Sequence, residues 1–369
     1  MSTLIHGHAT PAGTAAYAKQ ISTAEGHFRE VRGLSLSSIG MGTYLGDPTD
    51  AADRDYTAAA AQAFALGCNV FDTAINYRLQ RSERAIGAAL ARMPRETVFV
   101  STKAGFLTPD GAMPASRQEY QEYFEKEYYA RGVMDRVEVV GGMHCMAPGY
   151  LSDQLERSRK NLNLATIDLF YLHNPETQVP IVGAEEFSRR LRTAFALLES
   201  KVQNGVIRWY GAATWNGFRV APTVRDSISL ESMVAAAREA GGEGHHFRFV
   251  QLPHNLAMPE ALASATQSIK GRTMPMLEAA AELGISVMAS GSIMQGRLAS
   301  GLPDSVLSVS PGLNDAQAAL QFTRSTPGVA TALVGMGSAA HVSDNLKLAS
   351  VPPASIDQFR KLFATDEHV

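Results

Sequence analysis

The 369-residue chain is 45% hydrophobic and 19% charged, carries a formal net charge of -3 and has two cysteines, Cys68 and Cys145. This composition excludes a disordered chain, a disulfide framework and the broad basic footprint of a nucleic-acid binder, and leaves a small-molecule partner as the expectation. No apolar run approaches the roughly 20 residues that cross a bilayer, and "MSTLIHGHATPAG" lacks both a basic start with an apolar stretch and a cleavage signature, so a cytoplasmic location is expected.

Residues 1–30 are small and polar and read as an N-terminal arm. "HFREVRGLSLSSIGMGTY" then has two β-like pieces around Gly33. Beyond them, apolar or β-branched runs at about 37–43, 69–72, 97–102, 167–172, 206–212, 248–252, 285–289 and 329–334 read as short buried strands. Amphipathic or Ala-rich segments at about 53–66, 82–93, 152–162, 186–203, 227–240, 273–283, 315–325 and 339–348 alternate with them as helices. Eight strands alternating with eight helices, with no Pro/Gly-rich linker, predict a (β/α)8 TIM barrel over residues 31–369 rather than two open sheets. An open dinucleotide-binding sheet would also carry a glycine fingerprint after its first strand, and "GMGTY" has no such continuation. The rhythm breaks at 104–151, a long insertion after the third strand. Its "RQEYQEYFEKEYY" is expected to form a helix lying over the barrel mouth.

In such a barrel, chemistry sits at the C-terminal strand ends. Three consecutive ends carry reactive groups: Asp72 with Tyr77 in the loop of "NVFDTAINY", Lys103 in "TVFVSTKAG" and His173 in "TIDLFYLHNP". Each alone is ordinary, because a strand-end Asp is usually a turn former, a Lys usually solvated and a His usually a satisfied core residue. Together they differ. Lys103, carried on the tail of a buried strand, needs a carboxylate, and Asp72 on the neighbouring strand supplies it. The ammonium is expected to lower the Tyr77 phenol from its usual pKa near 10. Tyr77 can then donate a proton to a carbonyl oxygen that His173 orients. The missing hydride donor points to a nicotinamide cofactor.

These motifs, with "RSERAIGAAL" and "TIDLFYLHNPE" in the same order and spacing, resemble the aldo-keto reductase superfamily, whose members are (β/α)8 barrels reducing carbonyls with NADPH or NADH. The resemblance implies further cofactor contacts: Gly42 and Thr43 after the first strand, Gln251 in "VQLPHNL", Ser290, Gly291, Ser292, Gln295 and Gly296 in "ISVMASGSIMQGRL", and Ser338, His341, Asp344 and Asn345 in "VGMGSAAHVSDNL". Tyr44 and Trp215 fall where the family builds its substrate wall, and His144 is assigned to substrate contact from the insertion.

The chain also departs from the family pattern. "GAATW" puts Ala213 and Thr214 where a carboxamide-binding Ser-Asn pair stands, Ser290 replaces an aromatic that stacks on nicotinamide, and Gly335, Met336 and His341 stand near where a 2'-phosphate meets Lys or Arg. Family habit implies NADP(H), with NAD(H) the alternative. No metal is expected, since His144, Cys145, His245 and His246 lack ligand spacing. Asp168 reads as structural. Two other readings stay open: a Schiff-base lyase or aldolase using Lys103 as nucleophile, and a non-catalytic cofactor-binding regulatory barrel resembling potassium-channel β subunits. Substrate identity and oligomeric state are beyond the sequence.

Overall fold

Residues 4–361 are described by a computed structural model. Eight parallel strands close into a barrel: β1 (Ile39–Gly42), β2 (Val70–Asp72), β3 (Phe99–Ala104), β4 (Ile167–His173), β5 (Ile207–Ala213), β6 (Phe247–Pro253), β7 (Ser286–Ser290) and β8 (Val329–Gly335). The return helices are α1 (Asp50–Ala65), α2 (Arg81–Leu90), α3 (Pro148–Leu162), α4 (Val179–Gln203), α5 (Leu230–Gly241), α6 (Met276–Glu282), α7 (Asp315–Ser325) and α8 (Ala339–Leu346). The (β/α)8 expectation therefore holds. β3 and β4 are buried along their whole length, which explains their near-continuous apolar runs: parallel strands flanked by helices outside and side chains inside have no wet face.

Strand register delivers the site. Gly42 pairs with Asp72, Lys103 with Tyr171, His173 with Ala213 and Ala213 with Gln251. Residues far apart in sequence thus meet on one rim.

The N-terminal stretch differs from the arm read in the sequence. Residues Pro11–Gln20 form a helix, with Pro11 in its first turn and Thr10 accepting a 3.0 Å hydrogen bond from the Gly13 amide. The strands Phe28–Val31 and Leu34–Ser37 form an antiparallel hairpin, and Val31, Leu34 and Leu36 cluster with the interior residues Val70, Phe99, Leu169 and Phe249. The hairpin closes the N-terminal end of the barrel. Asp168 is structural, as expected: it accepts from the Ala9 amide at 2.7 Å, from the Val100 amide at 2.9 Å and from Arg95 at 2.5 Å. It ties the leading segment to β3.

The long connection between β3 and α3 forms the expected helix, Arg117–Phe124, continued by a π-turn at Glu125–Tyr129. It does not lie over the mouth. Phe124, Tyr128, Met134 and Cys145 cluster with Tyr150 of α3, and Arg157 of α3 stands 5.2 Å from the Tyr128 ring centre. Burying these aromatics against α3 draws the segment to the barrel flank, and from this connection only Phe106 reaches the cleft described next.

Candidate active site

At the C-terminal end of the strands a cleft of about 1430 Å³ opens, lined by Asp72, Tyr77 and His173 at its deep end. Lys103 is fully buried behind them. Its ammonium donates to Asp72 Oδ2 at 2.6 Å and to the Thr73 carbonyl at 2.8 Å, and lies 5.0 Å from the Tyr77 ring centre. The other Asp72 oxygen accepts from Ser101 Oγ at 2.7 Å and Gln251 Nε2 at 2.9 Å. Both oxygens of the buried carboxylate are hydrogen-bonded, so the pair tolerates its desolvation. Tyr77 and His173 rings meet edge to face at 5.7 Å.

Burial is the largest influence on Lys103 and disfavours its charge. The attraction of Asp72 and Tyr77 and hydrogen bonds to both outweigh it, so the ammonium is held above its ordinary pKa. Tyr77 corrects the sequence expectation. Burial pushes the phenol above its usual value, and the Lys103 charge offsets only part of that because Asp72 stands beside it. The phenol is a protonated donor at neutral pH. Burial, then Lys103 and His144, push His173 well below the usual histidine range, so its ring is neutral. Its Nδ1 is buried without a partner.

His144 is not in the cleft wall. Its Nε2 donates to the His173 carbonyl at 2.7 Å, while Nδ1 accepts from Gln178 at 3.0 Å. Burial depresses its pKa to about 4. The ring holds the end of β4 rather than facing a substrate. The reason is packing: His144 pairs in a β-bridge with Phe106, which turns it inward. Tyr44 and Trp215 do line the cleft, 55% and 44% exposed, and Tyr44 stacks edge-on with Tyr77 at 5.0 Å.

The residues assigned to a dinucleotide run along the rest of the cleft: Gly42, Thr43, Thr214, Gln251, Ser290, Gly291, Ser292, Gln295, Gly296, Ser338, His341, Asp344 and Asn345 all line it. Several are already engaged. Thr43 Oγ1 donates to the Asp72 carbonyl, Ser292 Oγ donates to the Leu333 carbonyl at 2.8 Å, Ser338 Oγ caps α8, and Asp344 accepts from Asn314 at 3.0 Å. Their contribution to a ligand therefore comes from backbone groups or remaining lone pairs. Two observations show that a dinucleotide fits. Thr214 Oγ1 is buried without a partner at the cleft wall, a ready donor for a carboxamide. The loop after β7 is left-handed at Gly291 (φ +63°) and again at Met294, Gln295 and Gly296, and nothing within 4 Å would meet a Cβ at Gly296. It leaves open space against backbone, as a pyrophosphate requires.

One residue of this region escaped the sequence reading. Glu176 is buried, and its Oε1 accepts the amides of Trp215 at 2.6 Å, Asn216 at 3.2 Å and Gly217 at 3.5 Å. The loop that carries Trp215 is anchored on this one carboxylate. "HNPE" gave no hint, because its three partners come from a later loop. Among the described residues no cluster of metal-ligating side chains occurs, and no helix is long and apolar enough to cross a membrane.

Comparison with known proteins bears on this geometry. Residues 38–302 match the family model described as "Aldo/keto reductase family". D-threo-aldose 1-dehydrogenase of Pseudomonas sp is 29% identical over 209 residues, 56% of this chain and 58% of that protein. NADH-specific methylglyoxal reductase of Escherichia coli (strain K12) is 26% identical over 186 residues, 49% of each chain. The matches thus span less than two thirds of these curated relatives. Among solved structures, an aldo/keto reductase from Klebsiella pneumoniae in complex with NADP and acetate superposes with a TM-score of 0.61 at 20% identity, over 92% of this chain and 94% of that one.

Proposed function

Because this chain belongs to the aldo/keto reductase family, we propose that it is an NAD(P)-dependent oxidoreductase that reduces an aldehyde, ketone or sugar carbonyl, or oxidises the matching alcohol, with Tyr77 as the proton donor. The observation that carries this is the set Asp72–Lys103–Tyr77–His173, closed into one unit at the deep end of a cleft that fits a dinucleotide. A bound nicotinamide supplies the hydride.

The chain's own residues do the rest. Tyr77 holds the proton that the carbonyl oxygen receives as negative charge develops on it. The Lys103 charge stabilises the phenolate left behind. Asp72 keeps that charge in place and orients Gln251. His173, neutral, donates a hydrogen bond to the same oxygen without competing for the proton. Tyr44, Phe106 and Trp215 supply flat apolar walls and exclude water. Such walls stack on a sugar ring or a planar carbonyl, and the similarity to an aldose dehydrogenase supports the sugar reading. Lys103 is already bonded to Asp72 and Thr73, which speaks against a nucleophilic amine.

Replacement of Tyr77 by Phe is the test. Turnover of the best aldehyde or aldose substrate should fall by roughly 10²-fold or more, while nucleotide binding, followed by fluorescence, stays within about threefold, less than 1 kcal/mol. Retained turnover would overturn the assignment of Tyr77.

A further inference from the structure

We propose that the adenosine end of the cleft selects NAD(H) over NADP(H), with His341 occupying the position from which a cation would have to receive a 2'-phosphate. This rests on the reductase reading above, since that reading puts the nicotinamide beside Tyr77 and His173. The dinucleotide can then extend only toward the loop after β7 and the N-terminal ends of α7 and α8, which form the other end of the cleft.

Charge along this path is unequal. The cleft is lined by four carboxylates, Asp55, Asp72, Asp315 and Asp344, and Asp72 is neutralised by Lys103. Against them stand, among the described lining residues, Arg297 as the one permanent cation and two imidazoles, His341 at this end and His173 at the deep end. Arg297 is exposed and leaves the same left-handed loop as Gly296. A single guanidinium there offsets one of the two negative charges that every nicotinamide dinucleotide carries in its pyrophosphate. Nothing is left over for a third phosphate. Lys347 of the segment after α8 is bonded to Asp344 at 3.2 Å and does not line the cleft.

At one position the wall is also closed to a side chain. A Cβ at Gly337 would stand 3.1 to 3.3 Å from the Tyr56 ring, and that ring is fixed by its hydroxyl donating to the Leu45 carbonyl at 2.6 Å. Asp344 is held ionised by its hydrogen bond from Asn314 and by Lys347. A 2'-phosphate brought to this end would lose water beside Asp344 and Asp315 and gain no partner, a repulsive element that discriminates by itself. A 2'-hydroxyl is a donor, which an acidic wall accommodates.

The experiment titrates the full chain with NADH and with NADPH separately, reading nucleotide fluorescence and calorimetric heat, and repeats both with His341→Arg. NADH should bind at least about tenfold tighter than NADPH, and the substitution should narrow that ratio by about tenfold by tightening NADPH. NADPH binding as tightly as NADH, or tighter, overturns the inference while leaving the reductase reading intact. An unchanged ratio in His341→Arg overturns the assignment of that position. If neither nucleotide binds, the reductase reading itself falls.

Discussion

Gly105 leaves β3 two residues after Lys103, and a Cβ there would stand 2.6 Å from His144 Nε2 and 2.6 Å from the His173 carbonyl oxygen. Those two atoms are bonded to each other, so a methyl group would have to break the contact that fixes the end of β4. Gly105→Ala is therefore expected to destabilise the fold by about 1–3 kcal/mol and to lower turnover further by displacing the His173 ring. Chemical denaturation and a kcat/KM measurement check both, and a variant as stable and active as the parent would show that the contact does not matter. At this scale the sequence was informative about which side chains carry charge and reactivity, because Lys103 and Asp72 are improbable in buried strands without one another. It misplaced His144, read as a substrate contact, because its role is set by a carbonyl 29 residues away. It also misjudged the direction for Tyr77, since pairing with Lys103 could be read from the chain but the extent of burial could not.

Among the elements, the turn between β2 and α2 is the most strained. Arg78, Leu79 and Gln80 follow Tyr77 with φ of 48°, 57° and 71°, a left-handed run that costs roughly 1–2 kcal/mol per residue outside glycine. It persists because its side chains are held from outside. Arg78 reaches Asp53 at 2.5 Å and the Asp47 carbonyl at 3.0 Å, and Gln80 accepts from Asn161 at 3.2 Å. The run aims Tyr77 into the cleft. Leu79, half-buried and without such anchors, is the place to test it. Leu79→Val, which adds β-branching to a left-handed residue, should lower stability by about 1–2 kcal/mol, whereas Leu79→Gly should not; thermal midpoints that fall equally for both would refute the strain. Elements were otherwise the most legible level. Fully buried parallel strands advertise themselves as apolar runs, and their helices as amphipathic spacers. The N-terminal helix was missed because "PAGTAAYAKQ" has almost no apolar stripe, and it packs through small residues: a Cβ at Gly13 would meet the Glu96 carbonyl at 2.4 Å.

For the molecule as a whole, buried histidines set an acid limit. Burial depresses His27, His144 and His254 to about 4 from an ordinary 6.5. Their folded forms stay neutral while the unfolded chain takes up protons, so their contribution is complete above pH 6.5 and is lost as pH falls toward 4. Glu176 acts in the opposite sense. Burial, partly countered by the Trp215 to Gly217 amides, raises it to about 7 from 4.5, so its contribution is present below 4.5 and declines as pH rises through 7. Three groups outweigh one. The unfolding free energy from urea titration is expected to fall steeply between pH 6.5 and 4.5, on the order of several kcal/mol in total, and a flat profile over that interval would contradict the placement of these rings.

With the hairpin across the floor of the barrel, the described residues leave the cleft at the opposite rim as the way in. On the reductase reading proposed above, both reactants share it, with the nicotinamide ring beside Tyr77 and His173. A carbonyl compound that settles first beside Tyr77 would stand in the path of the nicotinamide ring. On the proposed reading, traffic therefore has a direction: nucleotide in, small molecule in, small molecule out, nucleotide out.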